Sequence, residues 1–133
     1  MTQRTGRPLH VAGLIERHDN HVLIVLPAPD TGLSRQWQFP RGPAAAGESA
    51  ETAMRRVAEE RLGIGVEIVV GQPPVAATVD GCDIELRYFI CGMAWGEARA
   101  GGYAEIRWVP RFQLREYEFD GPSREAALWF VEG

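Results

Sequence analysis

A chain of 133 residues is long enough to close one hydrophobic core and short for two domains of ordinary size. Hydrophobic residues at 45% and charged residues at 24% exclude a disordered or fibrous chain, and a formal net charge of −4 argues against a broad basic surface for duplex nucleic acid. Small phosphorylated ligands remain compatible with that balance.

In chain order, Met1 to Arg7 holds no apolar stretch followed by a small-residue cleavage site, so no secretory leader is expected. His10 to Leu26 reads as strand, tight turn over Arg17 to His21, then strand. Pro27 to Ser34 is a loop, Gln36 to Phe39 is a short extended piece, and Pro40-Arg41-Gly42-Pro43 breaks it. Ala44 to Glu48 is rich in alanine but is bounded by Pro43 and interrupted by Gly47, which makes it loop. Ser49 then offers an N-cap, Glu51 an acid in the first turn and Gly63 a left-handed stop, so a helix is predicted over residues 50–62.

Val66 to Val70 reads as a strand, and Ala76 to Val79 runs extended into an Asp80-Gly81 turn. Ile84 to Met93 alternates and pairs back as a hairpin. Asp80, Asp83 and Glu85 around that turn are read as turn residues. A Gly/Ala-rich loop over 96–103 leads to a strand from Glu105 to Val109, and a last helix begins near Gly121-Pro122-Ser123. The order implies an α/β (α+β) fold in one domain over residues 1–133, with a mixed sheet between helices. No segment has the length of a membrane span. Cys82 and Cys91 match neither a CxxC pair nor a zinc set with His10, His18 or His21, so they read as reduced thiols in a cytoplasmic protein.

The central helix has an unusual inner face. Taken at about 100° per residue, Ala50, Ala53, Met54, Val57 and Ala58 share one arc, with Glu60 about 60° to one side of Val57 and Arg61 about 40° to the other. Glu59 points away. Two charges on an inner face must pair, reach the edge or line a polar cleft, and the pattern alone leaves an edge-snorkelled pair and a functional cleft both open.

Gly42, Glu48, Arg56, Ala58, Glu60, Gly63 and Ile64 fall without insertion on the positions of a Nudix box. The preceding Trp37-Gln38-Phe39-Pro40 and the run Gly47-Glu48-Ser49-Ala50-Glu51-x-Ala53-Met54 resemble the RNA 5′-pyrophosphohydrolases and diadenosine tetraphosphate hydrolases of that superfamily. The resemblance implies a Nudix fold, a small phosphorylated nucleotide ligand, and magnesium or manganese held by helix glutamates and a carbonyl near Gly42. It implies that Glu48 and Arg56 tie loop to helix. It also places Arg41 beside the phosphates and Glu105 at an outer ligand or base position.

Two positions depart from the box. Val57 stands where the glutamate after the motif arginine belongs, and Arg61 stands at the second of the paired glutamates, so only Glu60 of three remains. A guanidinium about 4 Å from a divalent ion would be repelled by roughly 8 kcal/mol at an effective dielectric of about 20. A one-residue slip of the helix could instead present Glu59 with Glu60. The expectations are therefore a hydrolase with Glu60, Glu59 and Glu105 at the chemistry and weak or altered activity, or an inactive nucleotide-binding module in which Arg41 and Arg61 hold phosphate. Phe119, with Tyr117 beside it, is a candidate for stacking on a base, with core packing as the alternative.

Overall fold

The computed structural model describes residues 7–28, 36–79 and 81–132. The first six residues, most of the expected 27–34 loop and Asp80 of the expected turn lie outside them. The elements run β1 (Leu9–Glu16), β2 (His21–Leu26), β3 (Arg41–Pro43), α1 (Ala50–Leu62), β4 (Ile64–Gly71), β5 (Val75–Val79), β6 (Cys82–Gly96), β7 (Glu105–Pro110), a 3-10 helix (Arg111–Glu116) and α2 (Gly121–Glu132).

The strands form one mixed sheet in the order β4-β6-β1-β2-β7, with β3 also beside β1 and β5 beside β6. Among the described strands only β1 and β6 pair in parallel, with Leu9 opposite Glu85 and Glu16 opposite Gly92. The β1–β2 turn closes because Asn20 accepts a left-handed backbone at φ 67° and the Asp19 side chain accepts from the His21 N–H.

β1 is buried on both faces, and its alternation assigns the layers. Val11 and Ile15 join the core beneath α1 with Met54, Val57, Leu62 and Phe89. Ala12 and Leu14 join the core beneath α2 with Leu86, Tyr88, Ala126 and Phe130. The sheet therefore lies between two helices.

α1 has the bounds its caps imply. Ser49 accepts from the Thr52 N–H at 3.1 Å, and Gly63, at φ 76°, donates back to the Glu59 carbonyl at 3.0 Å. The stretch expected to break at Pro40 to Pro43 instead yields a strand: Ala12, Val11 and His10 pair with Arg41, Gly42 and Pro43. Proline is tolerated there because β3 has no second strand partner among the described residues, so its missing N–H leaves no ladder bond unmade. β6 also runs longer than its alternating segment, because β4 and β5 pair with successive parts of it.

Candidate functional site

The loop between β3 and α1 is held to the helix by one arginine. Arg56 donates from Nε to Glu48 Oε2 at 2.8 Å, and from Nη2 to Glu48 Oε1 and the Pro43 carbonyl, each at 2.9 Å. The Ala45 N–H donates to the same carboxylate at 2.8 Å. These bonds favour the ionised form, and Arg56 first, then Ala45, hold the Glu48 carboxyl at about 2. A two-pronged arginine–carboxylate pair fixes angle as well as distance, so the loop enters α1 in one orientation.

The next turn of α1 is built differently. Val57 is 1% exposed and belongs to the core. Its Cγ2 would lie 3.0 Å from a Cβ built on Gly42, and Arg61 Nη2 would lie 3.2 Å from the same atom. The valine and the guanidinium thus sit directly over the glycine of the loop.

Glu60 was expected on the inner side with Arg61, and the structure corrects this. Its side chain is 62% exposed and its Oε1 accepts from Arg56 Nη1 at 3.2 Å. The i, i+4 spacing to Arg56 decides the direction, since that cation is already anchored at the loop. The helix slip is also excluded: Glu59 is exposed, Val57 is buried, and Gly63 caps the unslipped register.

Glu105 opens β7 opposite Leu26 and pairs with Arg107, two residues along the strand. Among the described residues no three His, Cys, Asp or Glu side chains converge in a way that could hold a metal. Magnesium and manganese need several oxygen ligands around one point. At Gly42 the neighbouring groups are a methyl and a cation, so the residues present do not fit the metal that the box implies.

On the other face of β3, Arg41 is 11% exposed and its Nη2 meets Asp120 Oδ2 at 2.7 Å. Asp120 also receives the Ser123 N–H on Oδ1 at 3.0 Å, capping α2, so one carboxylate links strand to helix. Arg41 Nη1 is buried with no hydrogen-bond partner among the described residues. His10, opposite Pro43, has its pKa lowered by burial and then by Arg41 and Arg61, so both cations act on this end of β1.

Phe119 is not an exposed stacking platform. It is 3% exposed and stacks on Phe39 with centroids 5.1 Å apart, because it joins the core beneath α2. Tyr117 is half-buried and meets Trp37 edge-on at 5.7 Å.

A cavity of about 210 Å³ opens between β5, β6 and the exposed side of α2, with Leu86, Tyr88, Glu125, Ala126 and Trp129 in its wall. Tyr88 donates to the Pro122 carbonyl at 2.7 Å and meets Trp129 edge-on. Ala12 is opposite both Arg41 and Tyr88, so the three form one row across β3, β1 and β6 on the α2 face. Two strand spacings separate the arginine from the cavity wall, about 10 Å.

The sequence reading missed Asp120 and the cavity. Asp120 carried a signal, an aspartate three residues before the serine that opens a helical run, which is an N-cap pattern. The cavity carried none, because its walls come from three separated segments.

Residues 6–130 match the family described as NUDIX domain. A Mycobacterium tuberculosis protein named "Putative 8-oxo-dGTP diphosphatase 2" is 29% identical over 110 residues, covering 82% of this chain and 77% of its own. A MutT protein from Methanosarcina mazei Go1 superposes with TM-score 0.79 at 15% identity, covering 98% of this chain and 96% of that one. The NUDIX domain of Shewanella oneidensis NrtR, solved with ADP ribose, gives TM-score 0.73 at 15% identity over 97% of this chain and 89% of that one.

Proposed function

The chain belongs to the Nudix family, and from that premise we propose that it recognises a nucleoside diphosphate linked to a further group and hydrolyses it weakly or not at all. One observation carries the reading: the turn of α1 above Gly42 presents Val57 and Arg61, while Glu60 is drawn outward to Arg56. Carboxylates that do not converge cannot assemble the divalent ion that would polarise phosphorus and activate water.

The ligand class is supported by the α2 face. A cavity of about 210 Å³ is smaller than the roughly 300–1,000 Å³ that encloses a whole drug-sized ligand, so it suits one flat ring system. Tyr88 and Trp129 give that ring aromatic neighbours. Arg41, in the same row at about 10 Å, lies within reach of the phosphates of such a nucleotide.

A hydrolytic reading has the resemblance to the tuberculosis diphosphatase in its favour. The test is a panel of ADP-ribose, 8-oxo-dGTP, diadenosine tetraphosphate and 5′-triphosphate RNA, each followed for binding and turnover with magnesium, manganese or chelator. Binding with negligible turnover supports the proposal. Rapid turnover that chelator abolishes replaces it with the hydrolase, and absence of binding to every member removes both.

A further inference from the structure

Arg61 is a cation with no structural partner in the fold among the described residues. Among the described residues no carboxylate pairs with its guanidinium. Two acids lie close by in sequence, Glu59 and Glu60, yet Glu60 is taken by Arg56. The guanidinium instead rests over Gly42, where the absence of a side chain lets it approach the loop backbone.

A second donor projects from the same strand on its other face. Arg41 spends Nη2 on Asp120 and keeps Nη1 buried with no partner among the described residues, an arrangement that costs stability while the donor stays unmatched. β3 is only three residues long and has no strand on its outer side among the described residues. A phosphate group at that edge would meet one guanidinium from each face.

We propose that Arg61 replaces the divalent ion at Gly42 with a tethered cation, so that the diphosphate of the ligand is held there without metal, with Arg41 Nη1 as the second donor. This rests on the reading of the ligand as a nucleoside diphosphate derivative and assigns how its charged part is bound. The chemistry suits the exchange. A guanidinium offers planar paired N–H donors that match two phosphate oxygens, stays charged at any physiological pH, and needs no free coordination site. It also makes the site selective in the opposite sense to a metal site, because a magnesium-saturated diphosphate has already spent the charge that Arg61 would meet.

The experiment is calorimetric titration with inorganic pyrophosphate and with ADP-ribose, in EDTA and then in excess magnesium, on the unmodified chain, Arg61→Gln and Arg61→Lys. Thermal melts verify that each variant is folded. The proposal expects binding in EDTA, weakening in magnesium, a loss of about tenfold or more in Arg61→Gln, and partial recovery in Arg61→Lys because the charge returns without the fork.

Binding that appears only with magnesium overturns the proposal, as does Arg61→Gln binding pyrophosphate like the unmodified chain. Either result leaves the ligand class standing if ADP-ribose still binds. Retained pyrophosphate binding without affinity for any nucleotide does the reverse, supporting the phosphate site and removing the nucleotide reading.

Discussion

The first and second halves of the Nudix box, one helical turn apart, behave as different structures. From Gly42 to Arg56 the loop is locked by Glu48, Ala45, Pro43 and Arg56 in one hydrogen-bonded unit. From Val57 to Arg61 the same helix carries a core methyl, two exposed acids and an exposed cation with no carboxylate partner among the described residues. The difference teaches that the box does two separable jobs. The spacing of glycine, glutamate and arginine shapes the loop, and that shape survives when the carboxylates of the next turn are replaced.

Refilling the second half should produce the largest change. In Val57→Glu/Arg61→Glu, magnesium-dependent hydrolysis of ADP-ribose or 8-oxo-dGTP should rise by at least about a hundredfold, because each recovered ligand stabilises the ion at the developing charge. The same variant should melt at a lower temperature without metal, since a carboxylate then replaces a core methyl, and magnesium should restore it. No gain on any member of the panel would mean that more than these two positions separates the site from a metal centre.

Breaking the first half should cost stability rather than binding chemistry. Arg56→Ala leaves Glu48 without its cation and the Pro43 carbonyl without its donor, and should lower the melting temperature on the order of 5 °C. The pH dependence follows from the Glu48 carboxyl being held at about 2 against its ordinary 4.5. Between those values the unfolded chain takes up the proton and the folded chain does not, so stability rises with pH. The contribution is complete above about 4.5 and is lost as pH falls through about 2, and Glu48→Gln should flatten that part of a plot of melting temperature against pH.

At the helix end, Gly63→Ala should cost about 1 kcal/mol by chemical denaturation, since φ 76° is disfavoured for alanine and the Arg99 guanidinium would lie 2.8 Å from the new Cβ. The smallest effect concerns the thiols. Cys91 is buried, which pushes its pKa up to about 12, whereas Cys82 is exposed. A thiol reagent should therefore label the native protein at Cys82 alone, and label both cysteines after denaturation.

Much of this is legible in the sequence. Ser49 and Gly63 set both ends of α1, because capping is local chemistry carried by the residues themselves. Gly42, Glu48 and Arg56 announced the loop-to-helix unit through spacing. Hydrophobic alternation located β1, β2 and the middle of β6, and the order of elements implied a mixed sheet between helices, which the fold has.

Other features needed the folded chain. Whether Glu60 turns to Arg61 or to Arg56 depends on the loop that anchors Arg56, and a helical projection of α1 contains no loop. In isolation Phe119 reads as either a stacking ring or a core residue, and the fold makes it core because Phe39, eighty positions earlier by sequence number, lies against it. The Arg41–Asp120 link and the cavity beside Tyr88 join segments distant in the chain. By itself the sequence determined the family's frame and the presence of Val57 and Arg61 at two glutamate positions of the box, because those are matters of residue type at a fixed spacing. The placement of Arg61 over Gly42 was decided by tertiary structure, because a flexible cation goes where the packed backbone leaves it room and the neighbouring Glu60 is already paired with Arg56.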